Sequence, residues 1–408
     1  MNTLFMAPQP FYQERGTPIA VDRILRVLSE RGDRVDLVTW HEGRDMAYNR
    51  VTIHRIPNLP IRNIRPGFSL AKIICDIFMF FTVLRLVSRR QYHLVHAVEE
   101  AVFIALLLKI FFKIPYVYDM DSSLAQQIIE RHPWLTLLAP ALKFFEGLAV
   151  RNAKAVIPVC DALAMGIRRH EPEKVVVLQD ISLLDNSRPR IPEDLRTHLS
   201  LQGQLLMYVG NLESYQGIDL LLQSFALALK KTDQAGLVAD LVIIGGEVQD
   251  IEKYQEQCRR LGIAHRVHFT GPRPIEHLAA YLAQADILVS PRIKGNNTPM
   301  KIYSYLDSGK PLLATDLPTH TQVLDRQVAV LARPVAQPFA TGMVRLIEDA
   351  TLRKQIGTAG QQLIQEKFTY TAFQKRVNGL FDWLKTEVET TPHTPPGTSP
   401  ARSHWGRA

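Results

Sequence analysis

Cations gathered at one strand-to-helix turn are the part of this sequence best suited to chemistry. The stretch SPRIKGNNTPMKIYSYLDSGKPLLATD starts where an apolar strand ends, at Ser290. A polar loop through Gly295, Asn296 and Asn297 follows. Thr298 then reads as a helix cap, Pro299 as the first helical residue, Met300 and Lys301 as its first turn, and Gly309 as the stop. A helix start carries free N–H groups and partial positive charge, which together bind phosphate. Arg292, Lys294 and Lys301 add formal charge at the same point. The plainer alternative is a capped helix with solvated lysines. It is outweighed because cap, glycine-containing loop and cations coincide at one turn.

Two weaker constellations lie in the first half. Gly16–Thr17–Pro18 follows the first strand and opens a helix, with Thr17 as cap and Gly16 leaving room for a ligand to approach the backbone. Asp119–Met120–Asp121 ends another strand; two carboxylates one residue apart could share a divalent ion, but polar lining of a site is the preferred reading. His132, His265, His268, His277 and His320 show no ligand spacing, and His320 alone sits near a strand end worth testing. No metal site is expected.

These residues need rigid elements to position them. Short β-branched runs alternate with longer helical patterns: Thr3–Ala7, Arg34–Thr39, Val51–Arg55, Leu94–His96, Tyr116–Asp119, Ala155–Val159 and Val175–Leu178 read as strands. The pattern restarts at Leu205–Val209 and runs through Asp240–Ile244, Val267–Thr270, Ile287–Ser290 and Pro311–Ala314. Such alternation predicts an α/β chain of two doubly wound parallel sheets, Rossmann-like, facing across a cleft. Residues 1–185 form the first domain and 186–370 the second, joined by the polar DNSRPRIP segment. Residues 371–388 form a helix returning to the first domain, and the Pro/Thr/Ser-rich residues 389–408 a disordered tail.

Length and composition agree. A chain of 408 residues, 46% hydrophobic and 22% charged, suits two cores. Cys75, Cys160 and Cys258 are far apart, and no secretion signal is read before the first strand, so a cytoplasmic protein with reduced thiols is expected. The net charge of +8 is unevenly spread. Between Val51 and Pro115, Arg55, Arg62, Arg65, Lys72, Arg85, Arg89, Arg90, Lys109 and Lys113 are opposed only by Asp76, Glu99 and Glu100. That bias fits anionic partners and a solvated basic face without a partner equally well, with contact at the inner face of an anionic membrane as a second expectation; no aromatic interleaving supports nucleic acid. Ile73–Val87 is apolar but interrupted by Asp76 and Arg85, too short to span a bilayer.

In combination, several fragments resemble the family-4 glycosyltransferases, retaining enzymes with the GT-B fold. They are GTPIAVDRILRVLSERGDRVDLVTW, LVHAVEE, MYVGNLESYQGIDLLLQSF, DLVIIGGE, VHFTGPRPIEHLAAYLAQADILVSP and NTPMKIYSYLDSGKPLLATD. The resemblance spans nearly all of residues 1–385. It implies a nucleotide diphosphate sugar as co-substrate, no other cofactor, an unnamed acceptor on the first domain, and transfer without an obligatory metal. By position it assigns Gly210, Asn211 and Gln216 to the donor phosphates, Gly271 and Arg273 to the base, Asn297 to Lys301 to the diphosphate and Ser304 to the ribose. Lys301, Arg292 and His96 are the catalytic candidates, with Gly16, Thr17, Glu99, Glu100, Asp119 and Asp121 on the acceptor side. Asn296 and Ser304 stand where many members have glutamates, Asn211 and Gln216 where an arginine and a lysine are frequent, and Val98 replaces a second histidine. A catalytically weak or inactive GT-B-fold subunit of a glycan assembly machinery and a sugar-nucleotide epimerase are the competing readings. A nicotinamide dehydrogenase is disfavoured, because no GxGxxG follows a first strand in either half.

Overall fold

The computed structural model describes residues 1–62, 64, 69–131, 133–184 and 193–390. The interdomain segment 185–192, the tail from 391 onward, Arg65 and His132 lie outside these described residues. The first half runs β1 (Asn2–Ala7), α1 (Gly16–Glu30), β2 (Arg34–Thr39), β3 (Val51–Arg55), α2 (Leu70–Val87) and β4 (Leu94–Val98). It continues α3 (Val102–Phe112), β5 (Tyr116–Met120), α4 (Leu124–Arg131), α5 (Ala139–Asn152), β6 (Ala155–Pro158) and α6 (Asp161–Ile167). After α7 (Leu195–His198) the second half gives β7 (Gln204–Val209), α8 (Ile218–Gln234), β8 (Ala239–Ile244), α9 (Val248–Leu261), β9 (Val267–Gly271), α10 (Leu278–Gln284) and β10 (Ile287–Ser290). Then come α11 (Lys301–Asp307), β11 (Leu312–Thr315), α12 (Pro318–Thr321), β12 (Val330–Ala332), α13 (Ala336–Glu348), α14 (Ala350–Lys367) and α15 (Tyr370–Thr390).

Both sheets are six-stranded and parallel, ordered β3-β2-β1-β4-β5-β6 and β12-β11-β10-β7-β8-β9. Each order reverses at its first strand, as in the doubly wound nucleotide-binding fold. In β1, Leu4 and Met6 point into one apolar layer while Phe5 and Ala7 point into the other. Burial on both faces explains the continuous apolar character of the strands. The layer over Leu4 and Met6 is supplied by α2, α3 and α5; the opposite one by α1 and α15.

The closing helix α15 lies on the first domain. Phe373, Val377, Leu380, Phe381 and Leu384 are buried, Arg31 pairs with Asp382 at 2.8 Å, and Lys154 pairs with Glu387 at 2.7 Å. One apolar cluster joins the two domains through Leu178, Ile181 and Phe368. The segment expected as a strand at Val175–Leu178 only bridges to Val156 at Val175, and the short edge strand β12 was not anticipated. The three cysteines are free and buried.

Candidate functional site

Both sheets aim the carboxyl ends of their strands at the groove between the domains, where ligands of open α/β sheets bind. On the second-domain side the chain leaves β10 at Ser290 and reaches α11 through residues 291–300. Arg292 is buried; its Nε donates to the Lys294 carbonyl at 2.7 Å and its Nη2 to Asn297 Oδ1 at 2.8 Å. Its guanidinium carbon stands 5.2 Å from the Tyr215 ring centre. Lys301 Nζ sits 3.9 Å from the Tyr208 ring centre and donates to Gln216 Oε1 at 3.2 Å. Gly210 presses so closely that a Cβ there would meet Nζ at 2.6 Å.

No carboxylate acts on either cation among the described residues. Burial, and after it the Arg292 charge, pushes the Lys301 ammonium well below the ordinary lysine range; burial lowers Arg292 too. Two like charges, Arg292 buried and Lys301 partly buried, cost free energy when held together without a counter-ion. A bound anion would supply the missing charge. Beneath the loop, His320 is fully buried between Ser290 Oγ at 2.8 Å and the Thr315 carbonyl at 3.0 Å. Burial pushes its ring down to about 3, so it stays neutral and props the loop. Thr315 Oγ1 donates to the Arg292 carbonyl at 2.5 Å.

The loop faces the other domain. Asn296 Nδ2 donates to Gln126 Oε1 of α4 at 2.7 Å, and Cys160 Sγ lies 3.6 Å from the Asn296 carbonyl. The opposing wall is acidic. Asp119 Oδ2 accepts from His96 Nε2 at 2.9 Å. Asp121 takes the Thr17 hydroxyl, and burial, followed by the Asp119 charge, raises it to about 7. Asp180 is raised to about 8 by burial and then by Asp121. Glu99 holds a left-handed φ of 49°, a costly conformation that clusters at functional sites. It accepts from Ser122 Oγ at 3.1 Å, and burial followed by Asp121 and Glu100 raises it well above the carboxylate range. Glu100 pairs with Lys72 at 2.6 Å. A protonated carboxyl donates and an ionised one only accepts, so this wall can serve hydroxyl groups both ways.

That wall has a thermodynamic signature. Carboxyls raised in the folded state bind protons that the unfolded chain has released, so stability falls as pH climbs from about 4 to about 8. Asp180→Asn should therefore raise the melting temperature at pH 8, with the gain shrinking to nothing near pH 4. An equal gain at both ends, in melts followed by circular dichroism, would remove the protonation account.

Comparison with known proteins decides the family. Residues 203–349 match the family described as "Glycosyl transferases group 1", and residues 15–179 match the "Glycosyl transferase 4-like domain". The chain belongs to the family-4 glycosyltransferases. It is 26% identical to a D-inositol 3-phosphate glycosyltransferase of Corynebacterium diphtheriae over 67% of this chain and 66% of the relative. An uncharacterised glycosyltransferase of Methanocaldococcus jannaschii is 23% identical over 83% and 86%. Among solved structures, sucrose-phosphate synthase of Thermosynechococcus elongatus superposes with a TM-score of 0.77 at 18% identity, covering 95% and 99% of the two chains. Anabaena HepE in complex with UDP-glucose gives 0.71 at 17%, covering 94% and 100%. These likenesses fix the GT-B fold.

Within this glycosyltransferase, Gly210, Gln216, Arg292, Asn297 and Lys301 come together, while Asn211 and Lys294 lie exposed at the rim. Other expected positions are corrected. His96 does not reach the groove: it is fully buried, stacked on Phe5 at 4.1 Å between ring centres, and orients Asp119 from below. Ser304 is also fully buried, and its hydroxyl accepts the Leu183 N–H at 2.9 Å instead of facing a ribose. Neither Thr17 nor Thr298 caps a helix. Helix α1 already starts at Gly16, where a Cβ would meet nothing within 4 Å, and α11 starts at Lys301 after Pro299 and Met300 have made a turn. Arg273 is committed to Glu193 at 3.0 Å, and the Gly271 carbonyl accepts from Gly245 at 2.8 Å. Tyr208, Tyr215 and Asp180 were missed; no local spacing marks them.

Proposed function

We propose that this glycosyltransferase takes a nucleoside diphosphate sugar into the groove and transfers the sugar, with retention, to a hydroxyl held against the first-domain acids. The observation that carries the reading is the adjacent pair of cations, buried Arg292 and partly buried Lys301, with no carboxylate among the described residues to neutralise them. As the anomeric bond breaks, charge grows on the leaving diphosphate, and preorganised cations at that point lower the barrier. They supply the charge that a metal ion provides in other sites, so the transfer is proposed to need none. UDP and UDP-glucose in the HepE structures support a nucleotide donor of this kind. The acceptor is proposed to be a glycan, a lipid or a small molecule, and the proposed place of work is the cytoplasm.

The contact of Asn296 with Gln126 and Cys160 already draws the domains together over the groove. Further closure would exclude water and limit donor hydrolysis. Thermal-shift measurements with UDP, GDP, ADP and their sugars test the reading. The matching nucleotide at a hundredfold excess over its dissociation constant should stabilise the protein by about 2.7 kcal/mol. If none of the three series shifts the melt or is turned over, the protein is a GT-B scaffold, not a transferase.

A further inference from the structure

The outer surface of the first domain carries more apolar area than its core uses. Helix α2 has two apolar stripes on opposite sides. Cys75, Met79 and Val83 are buried against the sheet, while Ile74, Ile77 and Phe81 face outward, with Phe81 60% exposed. The neighbouring helices of the same layer repeat the arrangement. Phe111 at the end of α3 is 73% exposed, and Phe144 on α5 65%. A soluble helix normally shows a single apolar face, and contiguous exposed apolar patches mark interaction sites.

The charges of that layer are one-sided. Helix α3 contains no acid; Asp76 of α2 accepts from Trp40 Nε1 at 3.1 Å, and Glu146 of α5 is buried against Ser123. No exposed carboxylate therefore lies on α2, α3 or α5 among the described residues. Cationic grooves flank the apolar ridge on both sides. One of about 450 Å³, at the β3 edge of the sheet, is lined by His54, Arg55, Arg85, Arg89 and Arg90; Asp36 pairs with His54 and Arg90 and Asp45 with Arg55, so Arg85 and Arg89, both exposed, carry its excess positive charge. The other, of about 280 Å³ beside α5, is lined by Lys143, Arg151 and Arg169 together with Phe144.

We propose that α2, α3 and α5 form a docking face for an anionic lipid bilayer, the apolar ridge entering the acyl boundary and the two grooves receiving lipid phosphates. An apolar strip flanked by arginine and lysine is the pattern of interfacial binding, in which apolar burial and attraction to anionic headgroups add. No described helix is long and apolar enough to cross a membrane, so the contact is with the surface. A second copy of the chain fits poorly here, because a twofold contact would bring cation-lined grooves against each other. The inference stands on this surface and not on the sugar-transfer reading.

The full chain would be mixed with vesicles of phosphatidylcholine alone, or of phosphatidylcholine with one third phosphatidylglycerol, and sedimented. Binding should favour the anionic vesicles by about tenfold and weaken with added salt. The double substitution Phe111→Ser and Phe144→Ser should weaken it about tenfold or more while leaving the thermal melt and UDP response unchanged. Arg85→Ser with Arg89→Ser should remove much of the salt dependence. The proposal falls if the wild-type chain stays in the supernatant with anionic vesicles. It falls equally if sedimentation velocity finds a dimer that the phenylalanine substitutions dissolve.

Discussion

Replacing Lys301 by alanine should lower turnover by about 100-fold or more, because one preorganised cation at the leaving group is worth about 3–4 kcal/mol of barrier. The ligand-free protein should not pay for the loss. Lys301 is a partly buried charge with Arg292 beside it and no carboxylate opposite, so removing it lifts a desolvation cost while sacrificing the packing of its stem against Tyr208. Lys301→Met separates the two terms: it keeps the stem and deletes the charge. It should melt at or above the wild-type temperature without UDP, gain far less from UDP, and turn over as slowly as the alanine variant. The measurements are initial rates with the nucleotide sugar that binds and paired melts with and without nucleotide. Wild-type turnover in either variant would remove Lys301 from the mechanism. Reduced turnover with an intact UDP shift would instead confine its role to the transition state.

The reason that turn could be read from sequence is that its chemistry is local. Strand end, loop, proline and cations occupy a dozen consecutive residues, and the parallel-sheet fold on which they sit announces itself by apolar runs alternating with helical periods. Of the acid wall, Asp119, Asp121, Glu99 and Glu100 were legible as acids at strand ends, but their meeting with Asp180 was not. Asp119, Asp121 and Asp180 meet only because β4, β5 and the chain after β6 are neighbours in the sheet, and Asp180 lies in an extended segment with no motif around it. His96 was misjudged for a related reason. Strand β4 is buried on both faces, so alternation could not tell a groove-facing histidine from one sealed between Phe5 and α15. Ser304 failed likewise. Ile302, Tyr303, Tyr305 and Leu306 are all buried around it, so α11 has no polar face by which to phase the helix. Thr298 was a good cap by residue type, but the chain spends Pro299 and Met300 on a turn before the helix begins.

Gly245→Ala should strongly destabilise the second domain and disturb its anion site. Its φ of 112° lies outside every region open to residues with a side chain, and the added Cβ would stand 2.2 Å from the Gly210 carbonyl oxygen. Strain at such a position costs about 1–3 kcal/mol and overpacking a similar amount, a large fraction of a marginal stability of roughly 5–15 kcal/mol. The clash also has a direction. Gly210 N donates to the Ile244 carbonyl at 2.9 Å and Gly245 N to the Gly271 carbonyl at 2.8 Å, so relief at Gly245 must displace the Gly210 turn that packs against Lys301. Gly262→Ala is the control. It shares a left-handed φ of 72°, but a Cβ there meets nothing within 4 Å, so it should lose only about 1–2 kcal/mol and keep its UDP response. In Gly245→Ala the melting temperature should fall on the order of 10 °C, and the nucleotide shift should disappear even below that melt. If both variants lose stability equally and both still bind nucleotide, the packing of Gly210 against Lys301 does not shape the anion site.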